Sequence, residues 1–122
     1  MAINFSNEVK NERLQALCNV VNASVTQLII YDDLDAKLCE LPFANPCEAS
    51  IVSGVLTFNS LSESMVLEDS TATKANVVDA DDNVLATLIV GDMDSGADLK
   101  LPSTTLYAGS LLRLNGWTIT EL

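Results

Sequence analysis

Carboxylate clusters and three cysteines are the parts of this sequence whose residue types could do chemistry. Between positions 92 and 98, Asp92, Asp94 and Asp98 place three carboxylates beside a glycine. Calcium prefers several hard oxygen ligands on a tightly turning loop, so this segment resembles the start of a calcium site. The twelfth position counted from Asp92 is Ser103, however, where an EF-hand loop needs glutamate. We therefore favour a solvated turn whose aspartates bond nearby backbone N–H groups, and we predict no metal site.

Two further acidic clusters, at 32–35 and 79–83, have the same interpretation. A carboxylate pair can act as general acid and base only at a defined separation in a cleft, and nothing in the sequence fixes one. The chain has no histidine, which removes the commonest general base and the commonest metal ligand. It also lacks a Walker loop, a Gly-x-Ser-x-Gly motif and a dinucleotide-binding glycine motif. We predict that the protein is not an enzyme and uses no cofactor.

The three cysteines, Cys18, Cys39 and Cys47, are predicted to be free thiols, at least two of them part-buried. Their odd number argues against a closed disulfide framework. A pair between Cys39 and Cys47, across a loop containing Pro42 and Pro46, stays open as an alternative. Because the chain has neither histidine nor a C-x-x-C motif, we do not expect a zinc site.

Two aromatic residues and the N-terminal segment are the candidate contact residues. Tyr31 and Trp117 could form a ligand platform, although such residues on strands of a small β domain more often belong to the core or a subunit interface. Ile3, Asn4 and Phe5 precede the predicted helix cap, so this segment could be an arm that docks on a neighbouring subunit. The alternative is a frayed terminus in which Phe5 packs onto the helix.

The element that follows this segment is a helix. Ser6 can cap its N-terminus, and the apolar residues between Leu14 and Val21 recur at helical spacing. The polar sequence after Val21 ends the pattern. We predict a helix over residues 6–22.

After the helix the hydrophobic period changes from 3.6 to 2, which indicates strands. The segments 75–78 and 84–90 flank a five-residue loop, as in a β-hairpin. The last strand, predicted over 111–120, changes parity at Asn115-Gly116, so it contains either a β-bulge, which we favour, or a tight hairpin. Seven or eight short strands after one helix predict a mainly β fold, an antiparallel β-sandwich or barrel. We expect one domain over 1–122, with its β part at 25–120.

Composition narrows the possible partners. The 122 residues, 48% of them hydrophobic, are enough to bury one core. Seventeen acidic against six basic residues give a net charge of −11, so we expect neither nucleic-acid binding nor attraction to an anionic membrane. The polar, acidic start of the sequence does not have the pattern of a secretory signal, so we expect synthesis in the cytoplasm.

The order of segments resembles a family of small virion proteins of tailed bacteriophages, the head decoration or cement proteins. The similarity covers nearly the whole chain and rests on a pattern of segments. The chain departs from the family pattern at two places. Members have a Gly/Pro-rich loop where this chain has residues 33–37, and they usually have an aromatic residue in the first arm of the central hairpin, where this chain has Asn76-Val77. The segments that carry the resemblance follow the helix at 22–32, 41–46, 54–59, 77–84, 95–99, 108–109 and 117–120.

The resemblance implies a β-rich protein that binds the external surface of the phage head, as a homotrimer, with the major capsid protein as its partner. It also implies one continuous last strand and carries over no catalytic residue. Two other functions stay open at this point. One is a tail, neck or tail-tube component, and the other is a calcium- or glycan-binding β module.

Overall fold

The structure is a computed structural model that describes residues 6–23, 26–44, 46–114 and 117–120. Within these ranges the chain is mainly β, as predicted, with one helix, α1 (Asn7–Asn22). Twelve short strands follow it, more than the seven or eight predicted, because several pairings involve only two residues. The strands are β1 (Gln27–Tyr31), β2 (Lys37–Pro42), β3 (Glu48–Val52), β4 (Val55–Phe58), β5 (Ser64–Met65), β6 (Ser70–Thr71), β7 (Lys74–Val78), β8 (Val84–Asp92), β9 (Leu99–Leu101), β10 (Thr105–Leu106), β11 (Leu111–Leu112) and β12 (Thr118–Thr120).

Helix α1 forms where its cap and its apolar spacing predict it. Ser6 adopts an extended backbone, and its Oγ accepts a hydrogen bond from the Val9 N–H at 3.3 Å. Leu14, Cys18 and Val21 are buried, and this face packs on β3 and β4. The predicted helix over 6–22 is confirmed, and Cys18 is held against the sheet.

The largest sheet has five strands in the order β2-β1-β7-β8-β9. Strand β1 lies between β2 and β7 and pairs antiparallel with both. The β7–β8 hairpin is confirmed, since Val78 pairs with Val84 around the five-residue loop. In that loop Asp79 Oδ1 accepts hydrogen bonds from the Asp81 and Asn83 N–H groups, both at 2.9 Å. This acidic cluster is therefore the turn that the sequence predicts.

Strands β8 and β9 are parallel, which departs from the predicted antiparallel arrangement. Parallel neighbours usually need a long crossover, but here the connection runs only from 93 to 98. The loop folds back onto Gly91, where an added Cβ would overlap Ser95 Oγ and lie 2.9 Å from the Ala97 Cβ. Glycine at 91 makes this close return possible.

A second sheet has the order β12-β4-β3. Strand β3 is absent from the strands predicted above, and its residues show no clean alternation of burial. It forms a hairpin with β4 through a two-residue turn in which Ser53 and Gly54 both have positive φ, 51° and 77°. Such turns match the twist of the paired strands, so the Ser-Gly dipeptide between Val52 and Val55 was an available signal.

The predicted single last strand over 111–120 is wrong. Strand β11 pairs with β5, whereas β12 pairs with β4 in the other sheet. Between them the carbonyl of Leu114 accepts a backbone hydrogen bond from the Leu61 N–H at 3.0 Å. After β11 the chain therefore leaves its partner β5, contacts Leu61, and then pairs with β4 through β12. The choice between a bulge and a hairpin at Asn115-Gly116 lies outside the described residues.

One hydrophobic core joins the helix and both larger sheets. Its members include buried residues of α1 and of the strands β1, β2, β4, β7, β8 and β9. Its most deeply buried large side chains, each at most 1% exposed, are Leu28, Ile30, Leu38, Leu41, Leu56, Val66, Leu99 and Leu101.

Candidate functional site

Several exposed apolar side chains lie on the β5–β11 pair and on the turn before β11. We define the apolar patch as Met65, Leu67, Tyr107 and Leu111, which are 55%, 53%, 63% and 61% exposed. Met65 lies directly opposite Leu111 in the ladder, so their side chains share a face. Leu67 follows on that face, because Val66 between it and Met65 is buried.

Hydrogen bonds fix the turn that carries Tyr107 beside this ladder. The Val66 N–H donates to the Ser110 carbonyl at 2.8 Å, and the Gly109 N–H donates to the Val66 carbonyl at 2.9 Å. The Ala108 N–H donates to Asp69 Oδ1 at 2.6 Å. The patch is therefore a set of apolar side chains on a bonded scaffold. Because exposed apolar surface is a feature of interaction sites, we take the patch as a candidate contact surface.

A second partly apolar surface is the outer face of the five-stranded sheet, which includes Tyr31. In the ladder Tyr31 lies opposite Lys74, and Lys74 lies opposite Ile89. Tyr31 is half-buried there, whereas Ile89 is 65% exposed. Lys74 forms an ion pair with Asp35. The candidate contact residue Tyr31 thus lies at the surface beside an exposed isoleucine.

Trp117 has a different environment from Tyr31, and the two do not form a common platform. Its indole is 8% exposed and stacks on Phe58, with ring centroids 4.0 Å apart and planes 8° from parallel. Phe43 completes the aromatic cluster, 6.3 Å from the indole centroid. We therefore assign Trp117 to the core and remove it from the candidate contact residues. The other candidates, Ile3, Asn4 and Phe5, lie outside the described residues.

The structure does not bring Asp92, Asp94 and Asp98 to a common point. Asp92 Oδ1 accepts the Asp94 N–H at 3.0 Å, which closes a local turn. Asp98 Oδ2 instead accepts the Ile89 N–H at 3.0 Å, so it caps a free donor of β8. The carboxylates of Asp92 and Asp98 thus bond backbone N–H groups of β8 and of the β8–β9 connection, and these contacts give no support to a calcium site.

The acidic cluster at 32–35 contains a buried carboxylate, that of Asp32, which anchors the turn. Asp32 is 6% exposed; its Oδ1 accepts the Leu34 and Ala36 N–H groups at 2.9 Å each, and its Oδ2 accepts the Ser70 hydroxyl at 3.0 Å. The backbone hydrogen bond from Ala36 is the main reason that the pKa of Asp32 lies below its ordinary value, with Ser70, Leu34 and the Lys74 charge adding to it against the effect of burial. The carboxylate ties the β1–β2 turn to β6.

We expect Asp32→Asn to lower the melting temperature at pH 7 by about 4 °C, because it weakens charge-assisted hydrogen bonds. A lowered folded-state pKa stabilises the fold above the unfolded value, and that stabilisation is lost as pH falls through the folded value. The difference from wild type should therefore narrow below about pH 4. Thermal melts from pH 7 to pH 3 measure it. The exposed neighbour variant Asp33→Asn is the control, and an equal fall there would contradict the anchoring role.

A group that sequence spacing does not reveal lies between α1 and β3. Sγ of Cys18, Sγ of Cys47 and a carboxylate oxygen of Glu48 all lie within 4.8 Å of one another. The three cysteines are free, so the alternative Cys39–Cys47 disulfide is wrong. Cys39 lies elsewhere, with its thiol 3.7 Å from the Met65 carbonyl oxygen. The helical pattern places Cys18 on the buried face, but no sequence signal names Cys47 as its neighbour.

Asn22, one helical turn after Cys18, organises this group. Its Nδ2 donates to Glu48 Oε2 at 3.0 Å, and its Oδ1 accepts the Cys47 N–H at 2.9 Å. Cys47 Sγ lies 3.4 Å from the same Glu48 oxygen and donates to it. Two thiols and one amide therefore converge on a single half-buried carboxylate.

The charges of this group follow from its burial. Burial raises the pKa of Cys18 to about 11 and raises the pKa of Cys47 still further above its ordinary value. For Glu48 burial also acts to raise the pKa, but the hydrogen bonds from Asn22 and the thiols outweigh it and hold the pKa below the usual range. At neutral pH the group consists of two neutral thiols beside an ionised carboxylate.

Comparison with known proteins found no matching family model, no matching curated protein and no matching solved structure. Among the described residues, no helix is both long enough and apolar enough to span a membrane.

Proposed function

We propose that the protein is a structural component of a tailed-bacteriophage virion, a decoration protein that binds the outer surface of the head as a homotrimer. Its partner on the head is the major capsid protein, which it contacts through the apolar patch. The order of segments, which resembles the decoration proteins, supports this proposal together with the mainly β fold. The observation that carries it is the patch of four side chains, each more than half exposed.

The patch suits a rigid binding role. Its members stand on paired strands and a bonded turn, so little conformational entropy is lost when a partner covers them. Large side chains in such a position are typical anchors of protein interfaces. With a net charge of −11, the chain also favours a partner whose surface is not itself strongly acidic.

Self-association requires a second surface, and we assign it to the outer sheet face around Tyr31 and Ile89. This face is formed by other strands than those of the patch, since Tyr31 ends β1 and Ile89 lies in β8. Separate variants can therefore address the two contacts. Ile89→Glu should break the trimer into monomers, which light scattering measures as a threefold fall in mass.

The decisive experiment is binding of purified protein to undecorated heads, measured by co-sedimentation. The double variant Met65→Glu/Leu111→Glu places two charges opposite each other in the patch, and we expect it to weaken binding roughly 30-fold or more. This expectation follows if each of the two side chains contributes at least about 1 kcal/mol to the binding free energy, because a loss of about 2 kcal/mol is roughly 30-fold in affinity.

The matched control is Val52→Glu/Met93→Glu, which adds the same charge at positions that are 63% and 60% exposed outside both surfaces. It should bind like wild type. Unchanged binding of the patch variant, or an equal loss in the control, would remove the patch from the interface. Absence of the protein from purified virions would overturn the proposed function itself. A chain lacking residues 1–5 tests the separate hypothesis of an N-terminal arm.

A further inference from the structure

We propose that Cys18, Cys47 and Glu48 form a binding site for a thiophilic divalent cation, with Zn²⁺ as the ion that fits best. The three ligand atoms come from the inner face of α1 and from the start of β3, and they lie within 4.8 Å of one another. Thiolate sulfur and carboxylate oxygen are the donors that zinc takes in proteins. The inference is independent of the virion role, since neither the patch nor the outer sheet face contributes to this group.

The distances suit a tetrahedral shell. With Zn–S near 2.3 Å and Zn–O near 2.0 Å, the edge between a sulfur and an oxygen ligand is about 3.5 Å. Sγ of Cys47 and Oε2 of Glu48 are 3.4 Å apart. The site therefore needs little rearrangement of this edge to accept an ion.

The surroundings orient the ligands as metal sites require. Asn22 holds the Glu48 carboxylate with one amide atom and the Cys47 backbone with the other, at 3.0 Å and 2.9 Å. Such outer hydrogen bonds fix ligand direction and raise affinity. Both thiols are at most 1% exposed, whereas Glu48 is half-buried, so the carboxylate side is the route by which an ion enters.

Binding is balanced by the release of two protons. Each neutral thiol loses its S–H proton to solvent and forms a Zn–S bond, while Glu48 contributes an oxygen that is already ionised. The complex of Zn²⁺ with two thiolates and one carboxylate has a net charge of −1. The carboxylate that accepts thiol hydrogen bonds without the ion becomes a ligand with it, so the polar groups are satisfied in both states.

The test uses the full-length protein, fully reduced, titrated with Co²⁺ as a coloured substitute for Zn²⁺. We expect one equivalent to produce a sulfur-to-cobalt charge-transfer absorption in the near ultraviolet, and Zn²⁺ to remove it. Zn²⁺ should also raise the melting temperature in a concentration-dependent way. The chain supplies its own matched control, because Cys39 is a buried free cysteine outside the group.

Cys39→Ser should keep the full absorption, whereas Cys18→Ser and Cys47→Ser should lose it. Glu48→Gln should keep the sulfur signal but weaken affinity roughly tenfold or more. If a serine variant does not fold, as judged by circular dichroism, the corresponding alanine variant replaces it. A reduced wild-type protein without the absorption, or an absorption that survives in both Cys18 and Cys47 variants, overturns the proposal.

Discussion

Replacing Trp117 with alanine is expected to lower the free energy of unfolding by about 3–5 kcal/mol, one of the largest effects of any single substitution in this chain. The indole is 8% exposed and lies in stacked contact with Phe58. Its removal loses both the transfer free energy of a large apolar surface and the packing of the aromatic cluster, and it leaves a cavity. The backbone at 117 is also part of the pairing, since its carbonyl accepts the Phe58 N–H at 2.9 Å.

The conservative variant Trp117→Phe distinguishes the contribution of the aromatic ring to stability from that of the indole N–H. Within the described part of the chain, Trp117 Nε1 is buried without a hydrogen-bond partner, which costs free energy in the wild type. Phenylalanine loses some volume but also removes the unpaired donor, so its loss of stability should be clearly smaller than that of alanine. Urea unfolding followed by circular dichroism measures both, because the variants lack the tryptophan fluorophore. A loss below about 1 kcal/mol for alanine would contradict the core position.

Truncating Ile30 to alanine is expected to cost about 2–5 kcal/mol. Ile30 is fully buried on the inner face of β1, opposite Cys39 on one side and Ala75 on the other. These neighbours belong to strands on both flanks, so they cannot easily close the cavity that the smaller side chain leaves. The measurement is chemical denaturation at constant temperature.

The control is Val84→Ala, a truncation of a β-branched residue in the same five-stranded sheet at a position outside both proposed contact surfaces. Val84 is 55% exposed, so this change should stay within about 0.5 kcal/mol of wild type. Equal losses of stability at Ile30 and Val84 would contradict the core position of Ile30.

The parts of the fold that the sequence predicts are those with a local physical cause. The helix follows from the Ser6 cap and from apolar residues one turn apart, both of which act within a few positions. The β7–β8 hairpin follows from two alternating segments around an acidic turn whose Asp79 bonds its own loop. The Ser53-Gly54 turn between β3 and β4 is equally local, so the same kind of signal indicates β3.

Features that join distant segments were not predictable in the same way. Nothing in the spacing of 18, 47 and 48 indicates that a helix packs its cysteine against the start of a strand. The apolar patch likewise exists only because β11 pairs with β5 and brings Leu111 opposite Met65. The last strand was predicted as one piece because its residues are consecutive and apolar, yet its two halves pair with different sheets.

Local hydrogen bonds and side-chain periodicity therefore made the helix, the central hairpin and the mainly β class readable from the residues alone. The parallel β8–β9 pair, the aromatic cluster around Trp117 and the cysteine group depend on which surfaces pack together. Burial of apolar area is non-directional, so a hydrophobic pattern states that a face must be covered without stating which segment covers it. The strand pairings of the described residues show which segments cover one another, and they determine the positions of both candidate sites.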